Sequence, residues 1–423
     1  PFLDRQELAT GRRETVLAPN WDVTEAPHPH WNSRAWENGC YFVAANRWGV
    51  ERGVPFSGGT SVIDPDGRFM AHRAKGDGIV YGEVDVARAR EKNWFPESVE
   101  NKMLDRRPEL YFNLTLNTYT AHGPRVHGLY GRAPLPPGRR SRLAALQFAP
   151  VAGDVQANLA HARALVAGAC SGGAAPDVLV LPELVLTGVP AGAAEATRLA
   201  LDAEAAATSL SELASEFGLH VVAGFIERDA GALYNAAAIV GPDGLAGVYR
   251  KNHLDSRDRA WATAGLGFRH FDIPAGRLGV LIGYDALFPE SSRCEAVAGC
   301  DIIAVPAAIG RDPAFERADG DRYWNAWQMM AGENNVYLAY ANQFGGSAIF
   351  GPQINVEFRR LPHAVAPGST PQVVQLDIST VDASPDAPTS QVRRKEMLQQ
   401  RRTEYFALGH TQDPPVLQQI ASS

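Results

Sequence analysis

Six residues recur along the chain with the same mutual spacing: Trp31, Glu37, Asn38, Tyr41, Asn46 and Gly49 are answered by Trp327, Glu333, Asn334, Tyr337, Asn342 and Gly345. Self-similarity at one fixed offset marks a structural unit used twice, and it constrains the fold more than composition does. Shorter matches follow. Gly59-Thr60-Ser61-Val62-Ile63 answers Gly345-Gly346-Ser347-Ala348-Ile349, Glu83-Val84-Asp85 answers Gln375-Leu376-Asp377, and Arg106-Arg107-Pro108-Glu109 answers Arg401-Arg402-Thr403-Glu404. Working backwards, Pro1-Phe2-Leu3-Asp4-Arg5 matches Pro289-Glu290-Ser291-Ser292-Arg293, and Gly11 falls opposite Gly299. Residues from about Leu143 to Phe288 have no earlier counterpart, so the first copy reads as a C-terminal half and the second as complete. A half-domain alone leaves strand edges and apolar faces open to water. The expectation is that the chain is the C-terminal part of a longer tandem protein, or that something outside it covers residues 1–118. The simpler alternative is a genuine start at Pro1, with the half-domain packed on the complete one.

The stretch Gly123 to Arg142 carries five arginines, no acid and repeated Gly and Pro, which keep a segment extended. It divides the chain into residues 1–118, a linker over 119–142, a complete domain over 143–410 and a tail over 411–423. Within the complete domain, short apolar runs at 143–148, 177–186, 220–227, 277–285, 301–307 and 336–344 predict buried strands. Between them lie Ala/Leu-rich stretches with helical spacing. Asp154 is placed to cap a helix carrying Leu159, Ala162, Leu165 and Val166, residues 192–217 predict a second long helix, and residues 290–299 a third. The pattern is that of an α/β protein.

Composition narrows the partners. Lys+Arg 40 against Asp+Glu 47 leaves a formal charge of −7, which argues against a chain that coats nucleic acid or a lipid surface. The longest apolar runs are too short to span a bilayer, and residues 1–14 are charged, so neither a transmembrane helix nor a signal peptide is expected. Four cysteines, Cys40, Cys170, Cys294 and Cys300, show neither a disulfide framework nor metal-ligand spacing, which makes the reducing cytoplasm the default location.

Three strand ends carry charge that a buried sheet does not otherwise choose: Glu183 in LVLPELVLTG, Lys251 in VYRKNHL and Asp285 in GVLIGYDALFPE. Charged groups there are costly unless paired, and active sites of α/β folds gather at such ends. A buried Glu183–Lys251 ion pair without chemistry is the plain alternative. Taken together, the three segments resemble the carbon-nitrogen hydrolase, or nitrilase, superfamily. Pro182-Glu183 with Gly188 matches its glutamate motif, Tyr249-Arg250-Lys251-Asn252-His253-Leu254 its lysine motif, and Gly279, Val280, Ile282, Tyr284, Asp285, Phe288, Pro289 and Glu290 its nucleophile turn. The match breaks at Gly283, which stands where the family has its catalytic cysteine.

The resemblance implies a four-layer αββα sandwich of the nitrilase type, one complete copy plus a C-terminal half copy. It also implies hydrolysis of non-peptide C–N bonds of amides, nitriles or carbamoyl compounds. In the family the glutamate deprotonates the thiol, the thiolate attacks, the lysine and a backbone N–H hold the oxyanion, and water releases the acyl group. No cofactor or metal is needed. Asp258 stands at the position of a further family glutamate, one methylene shorter. Tyr284, assigned to substrate binding, follows the nucleophile position, with its side chain expected on the opposite face. Asp285 is expected to accept backbone N–H bonds, and His253 to pack the loop. Gly283 supplies no nucleophile, acid or base, so this copy is expected to be inert in covalent acyl transfer. Cys294 reads as a buried core residue rather than a substitute nucleophile, and Cys40 as structural.

Two functions follow. One is a tandem hydrolase whose working cysteine lies upstream of Pro1, with the Gly283 copy a degenerate partner; family members pair through their sandwiches, so a homo-oligomer or an intramolecular pseudo-dimer is expected. The other is a binding or regulatory module that holds a small amide, nitrile or carboxylate at Glu183 and Lys251 without turning it over. Gly283 as a substitution made to trap substrate is a third reading, for which Ala or Ser is the usual choice.

Overall fold

The computed structural model describes residues 15–19, 29–94, 98–115, 135–171, 173–309, 321–352, 363–366 and 368–381. The matches at Pro1–Arg5, Gly11 and Arg401–Glu404, most of the linker, the tail and residues 310–320 lie outside the described residues.

The segment expected from the repeat to be the first copy runs β1 (Thr15–Pro19), α1 (Pro29–Asn38), β2 (Tyr41–Ala45), β3 (Trp48–Glu51), β4 (Val54–Ser57), β5 (Thr60–Ile63), β6 (Phe69–Arg73) and the short helix α2 (Val86–Arg90). The segment expected to be the complete copy begins with β7 (Arg140–Gln147), α3 (Val155–Cys170), β8 (Val178–Val180), α4 (Ala193–Leu199), α5 (Ala203–Phe217), β9 (His220–Asp229), β10 (Ala232–Gly241) and β11 (Gly244–Arg250). It continues with β12 (His270–Ile273), β13 (Gly276–Val280), α6 (Pro289–Val297), β14 (Ile302–Ala307), α7 (Asp321–Asn334), β15 (Tyr337–Asn342), β16 (Ala348–Phe350), β17 (His363–Val365) and β18 (Gln372–Ser379).

Two six-stranded sheets, β11-β10-β9-β8-β7-β18 and β12-β13-β14-β15-β16-β17, face each other in the complete copy. Successive residues of a strand point to opposite faces, so each strand feeds two cores. Leu143, Val178, Val222 and Ile239 of one sheet meet Leu278, Ile302, Ala304 and Ala339 of the other between the sheets. Ala144, Leu146, Val221 and Ala223 turn outward against Ala162 and Val166 of α3 and Leu210 and Leu213 of α5. On the far side, Ile303, Val305, Leu338 and Tyr340 pack under Cys294 and Val297 of α6 and Trp327 and Met330 of α7. These are the four αββα layers. Trp36, Trp94, Tyr111 and Leu114 of the first copy belong to that last core, so the two copies share buried apolar surface.

The expected long helix over 192–217 is divided. Leu201 donates to Ile226 and accepts from Arg228 as a bridge onto β9, and Asp202 caps α5 through Ala205 N at 2.7 Å. The backbone of Ala200 to Asp202 is therefore drawn out of helix by the sheet edge. Asp154 caps α3 through Ala157 N at 2.9 Å, as its position suggested.

The first copy forms a four-stranded sheet, β1-β2-β5-β6, whose first pair is parallel and whose next two are antiparallel. The run β14-β15-β16-β17 has the same order and the same pairing senses. Asp85 N donates to Tyr41 Oη at 3.1 Å, as Ser379 N donates to Tyr337 Oη at 3.2 Å. One difference is informative. Gln375-Leu376-Asp377 lies in β18, which pairs with β7, whereas Glu83-Val84-Asp85 is not a strand, and nearby Ile79 and Tyr81 are exposed. Among the described residues the first copy has no strand equivalent to β7 for that segment to pair with. On the inner face Ala45 is exposed, while its counterpart Ala341 is fully buried.

Equivalent helices of the two copies pack on each other. Arg34 of α1 is buried between Glu37 of its own helix, at 2.5 Å, and Glu333 of α7. Glu37 and Glu333 are a matched pair of the repeat, so one guanidinium joins corresponding carboxylates.

Candidate active site

Glu183, Lys251 and Gly283 come together at the strand ends of the complete copy. The run over 177–186 is strand only as far as Val180; Glu183 sits in a turn, and the next residue, Leu184, has a left-handed φ of 52°. The turn lies so close over β9 that a Cβ at Gly224 would stand 2.2 Å from Leu184 N. Only glycine permits that approach. Lys251 follows β11, its N–H bonded to Asn235 O at 2.8 Å.

The Lys251 ammonium is fully buried and lies 2.8 Å from Glu183 Oε1, 2.5 Å from Asp258 Oδ2 and 3.5 Å from Asp255 Oδ2. Asn235 Nδ2 donates to Glu183 Oε1 at 2.7 Å and to Asp258 Oδ1 at 2.9 Å. Arg257 pairs with Asp255 at 3.0 Å. Glu183 Oε2 accepts from Ala308 N at 2.8 Å, and Gln343 Nε2 donates to Glu183 O at 2.6 Å. Asp258, although shorter than the family glutamate, thus reaches the lysine directly.

Burial by itself would lower the Lys251 pKa, but Asp255, Asp258 and Glu183 outweigh it and hold the ammonium well above the ordinary lysine value. Burial raises the Asp258 carboxyl to about 6; Lys251 opposes the rise, and the charges of Asp255 and Glu183 add to it. Burial also works to raise Asp255, yet Lys251 and Arg257 pull it below the usual carboxylate range. Three carboxylates thus face two cations, and Asp255 and Asp258 are pushed in opposite directions.

Gly283 opens a 3₁₀ turn over Gly283–Leu287, with φ of 43°. Asp285 holds this turn, accepting from Ile282 N at 3.2 Å, His253 N at 2.7 Å, Asn252 N at 3.1 Å and Tyr249 Oη at 2.7 Å. The Tyr284 side chain turns away from Glu183 and Lys251: its hydroxyl donates to Asp105 of the first copy at 2.8 Å, and its ring packs edge-on against Phe288. Cys294 is buried in the outer core, and Cys40 lies in the first copy's own core. Burial pushes the Cys40 thiol up to about 11.

Asn235, Asp255, Arg257, Ala308 and Gln343 were not anticipated. For Asn235 a signal existed: a lone amide in the apolar run ALYNAAAIVG is as unusual in a buried strand as Glu183 and Lys251.

At the strand ends of an αββα sandwich, a buried carboxylate and ammonium, Glu183 and Lys251, thus meet beside Gly283. The model of the family described as "Carbon-nitrogen hydrolase" matches residues 14–93 and 142–378, and the chain belongs to that family. It is 36% identical over 208 residues to a "Nitrilase" of Pyrococcus abyssi, covering 48% of this chain and 75% of that protein. To an "N-carbamoylputrescine amidase" of Solanum tuberosum it is 30% identical over 244 residues, covering 55% of this chain and 80% of the relative. In fold it is similar to an amidase from Nesterenkonia sp. AN1, solved with the acetamide moiety of fluoroacetamide covalently added at its active site cysteine. That match has a TM-score of 0.50 and 22% identity, and covers 64% of this chain and 98% of the other.

Among the described residues, no group of His, Cys, Asp and Glu has the arrangement of a metal site, and no helix is long and apolar enough to cross a membrane.

Proposed function

We propose that this chain is the C-terminal part of a tandem carbon-nitrogen hydrolase, and that its complete copy has lost covalent acyl transfer and serves as the pairing partner of the first. The substrate class of the whole protein is then small amides, nitriles or carbamoyl compounds, by similarity to the nitrilase and the carbamoylputrescine amidase. The observation that carries the reading is the glycine at 283. Glu183 supplies a carboxylate and Lys251 an ammonium in direct contact with it, yet residue 283, against Glu183, carries no side chain to act as nucleophile. The packing of α1 on α7 through Arg34, Glu37 and Glu333 supports an intramolecular pseudo-dimer, with the half copy in the place of a second subunit. The exposed Ala45 face and the unpaired 79–84 segment support a further sheet belonging to the first copy.

The test is intact mass of the purified chain after exposure to an activated amide or nitrile. No adduct is expected on the residues around Glu183 and Lys251; a mapped adduct there would overturn the reading.

The retained Lys251 cluster also favours a second reading, a pocket that binds an amide or carboxylate without turnover. Acetamide and acetate should then raise the melting temperature of the wild-type chain and not that of Lys251→Ala. Equal shifts in both proteins would exclude it.

A further inference from the structure

Residues 98–115 of the first copy clasp the two loops that carry the site of the second. Glu100 Oε1 accepts from Ser256 N at 3.0 Å, and Asp105 pairs with Arg259 at 2.7 Å and accepts from Tyr284 Oη. Arg107 donates to the carbonyls of Asn252 at 3.1 Å and Gly265 at 2.8 Å. At the centre, Tyr111 Oη lies 2.7 Å from His253 Nε2, and His253 Nδ1 lies 2.8 Å from Asp285 Oδ1. Tyr111, His253 and Asp285 are all buried, and the His253 ring stacks on Phe288 at 4.2 Å.

The hydrogen positions follow from what each group can do. Asp285 accepts from three backbone N–H groups and a phenol, so it acts as an ionised acceptor and takes the proton on Nδ1. A neutral ring then has a bare Nε2, which must accept. Burial holds the Tyr111 phenol well above its ordinary pKa, so it stays protonated and donates. The same Asp285 carboxylate fixes Ile282 N and the backbone beside Lys251, the two edges of the site.

We propose that Tyr111 of the first copy is a positioning residue for the second copy's pocket: it locks His253 as the Nδ1–H tautomer and, through Asp285, sets the 283 turn against the Lys251 loop. As a statement about a pocket this rests on the reading of Glu183 and Lys251 given above. Its test does not depend on any ligand, so the two can fail separately.

The experiment uses the full chain with ¹⁵N-labelled histidine, His253→Gln to assign the ring, and Tyr111→Phe, which removes one oxygen from a packed ring. The wild-type His253 should show a protonated Nδ1 and a bare Nε2. In Tyr111→Phe the Nε2 signal should move and a second tautomer appear, while amide exchange over 252–254 and 281–288 quickens at least about tenfold and that of β9 and β10 does not change. A wild-type ring protonated at Nε2 alone overturns the proposal whether or not the variant folds. So does a Tyr111→Phe chain with unchanged ring signals and unchanged exchange in both loops.

Discussion

Glu183 Oε2 lies 2.5 Å from the point that a Cβ on residue 283 would occupy. The Glu183 carboxylate and any side chain at 283 therefore claim the same space, and glycine there lets the carboxylate close against Ala308 N.

Substitution at 283 meets two penalties. A side chain at φ of 43° costs about 1–2 kcal/mol, and the Glu183 carboxylate must also give way. Gly283→Ala and Gly283→Cys should each lose about 1–3 kcal/mol in urea unfolding. In a Glu183→Ala background the loss should shrink towards the backbone part alone. Strict additivity of the two substitutions would refute the clash.

Removing Lys251 leaves Arg257 as the one cation of the cluster facing Glu183, Asp255 and Asp258. Lys251→Met should cost about 3–5 kcal/mol at pH 7.5, because buried carboxylates lose their compensation. At pH 5 the loss should be smaller, since a carboxylate protonates more readily once the ammonium is gone. Urea midpoints at the two pH values check both statements.

Asp258 titrates higher folded, at about 6, than the ordinary aspartate value of 3.8. Between those values the folded chain binds more protons than the unfolded one, so this group makes stability fall as pH rises from about 4 to 6. Asp258→Asn should remove that share of the slope. Identical slopes in both proteins would contradict the assignment.

Lys102 gives the opposite sign. It is buried, its ammonium 5.2 Å from the Trp94 ring and 5.8 Å from that of Trp36, and desolvation lowers it from 10.5 to about 7. Between those values the unfolded chain binds more protons, so stability should rise with pH. Relative to Lys102→Met, the wild-type urea midpoint should climb from pH 7 to pH 9; parallel curves would dismiss the effect.

Arg34→Met tests the join between copies. It deprives Glu37 and Glu333 of the guanidinium between them, and about 3 kcal/mol should be lost. Amide exchange in α1 and α7 should quicken together. Loss confined to α1 would show that Arg34 serves its own helix only.

Much of this was legible before any coordinates. The spacing from Trp31 to Gly49, matched from Trp327 to Gly345, reads as a repeat, and the strand orders β1-β2-β5-β6 and β14-β15-β16-β17 run alike; the apolar runs placed β7, β9, β14 and β15. Glu183, Lys251 and Asp285 betrayed themselves as charges where a buried sheet wants none, and Gly283 stood out only against its family motif. Boundaries fared less well. The helical pattern over 192–217 ran through a break that exists because β9 bonds Leu201, and the run at 177–186 hid a turn made possible by Gly224 on another strand.

By itself the sequence determined which chemical groups this protein has: an acid at 183, a lysine at 251 and a glycine at 283. Tertiary structure decided which groups meet. Asn235 and Ala308 N complete the Glu183 carboxylate's bonds, and Tyr111 reaches His253 from the other copy. A buried polar atom requires a partner but does not specify from where along the chain it comes; only the packing of the layers sets that distance.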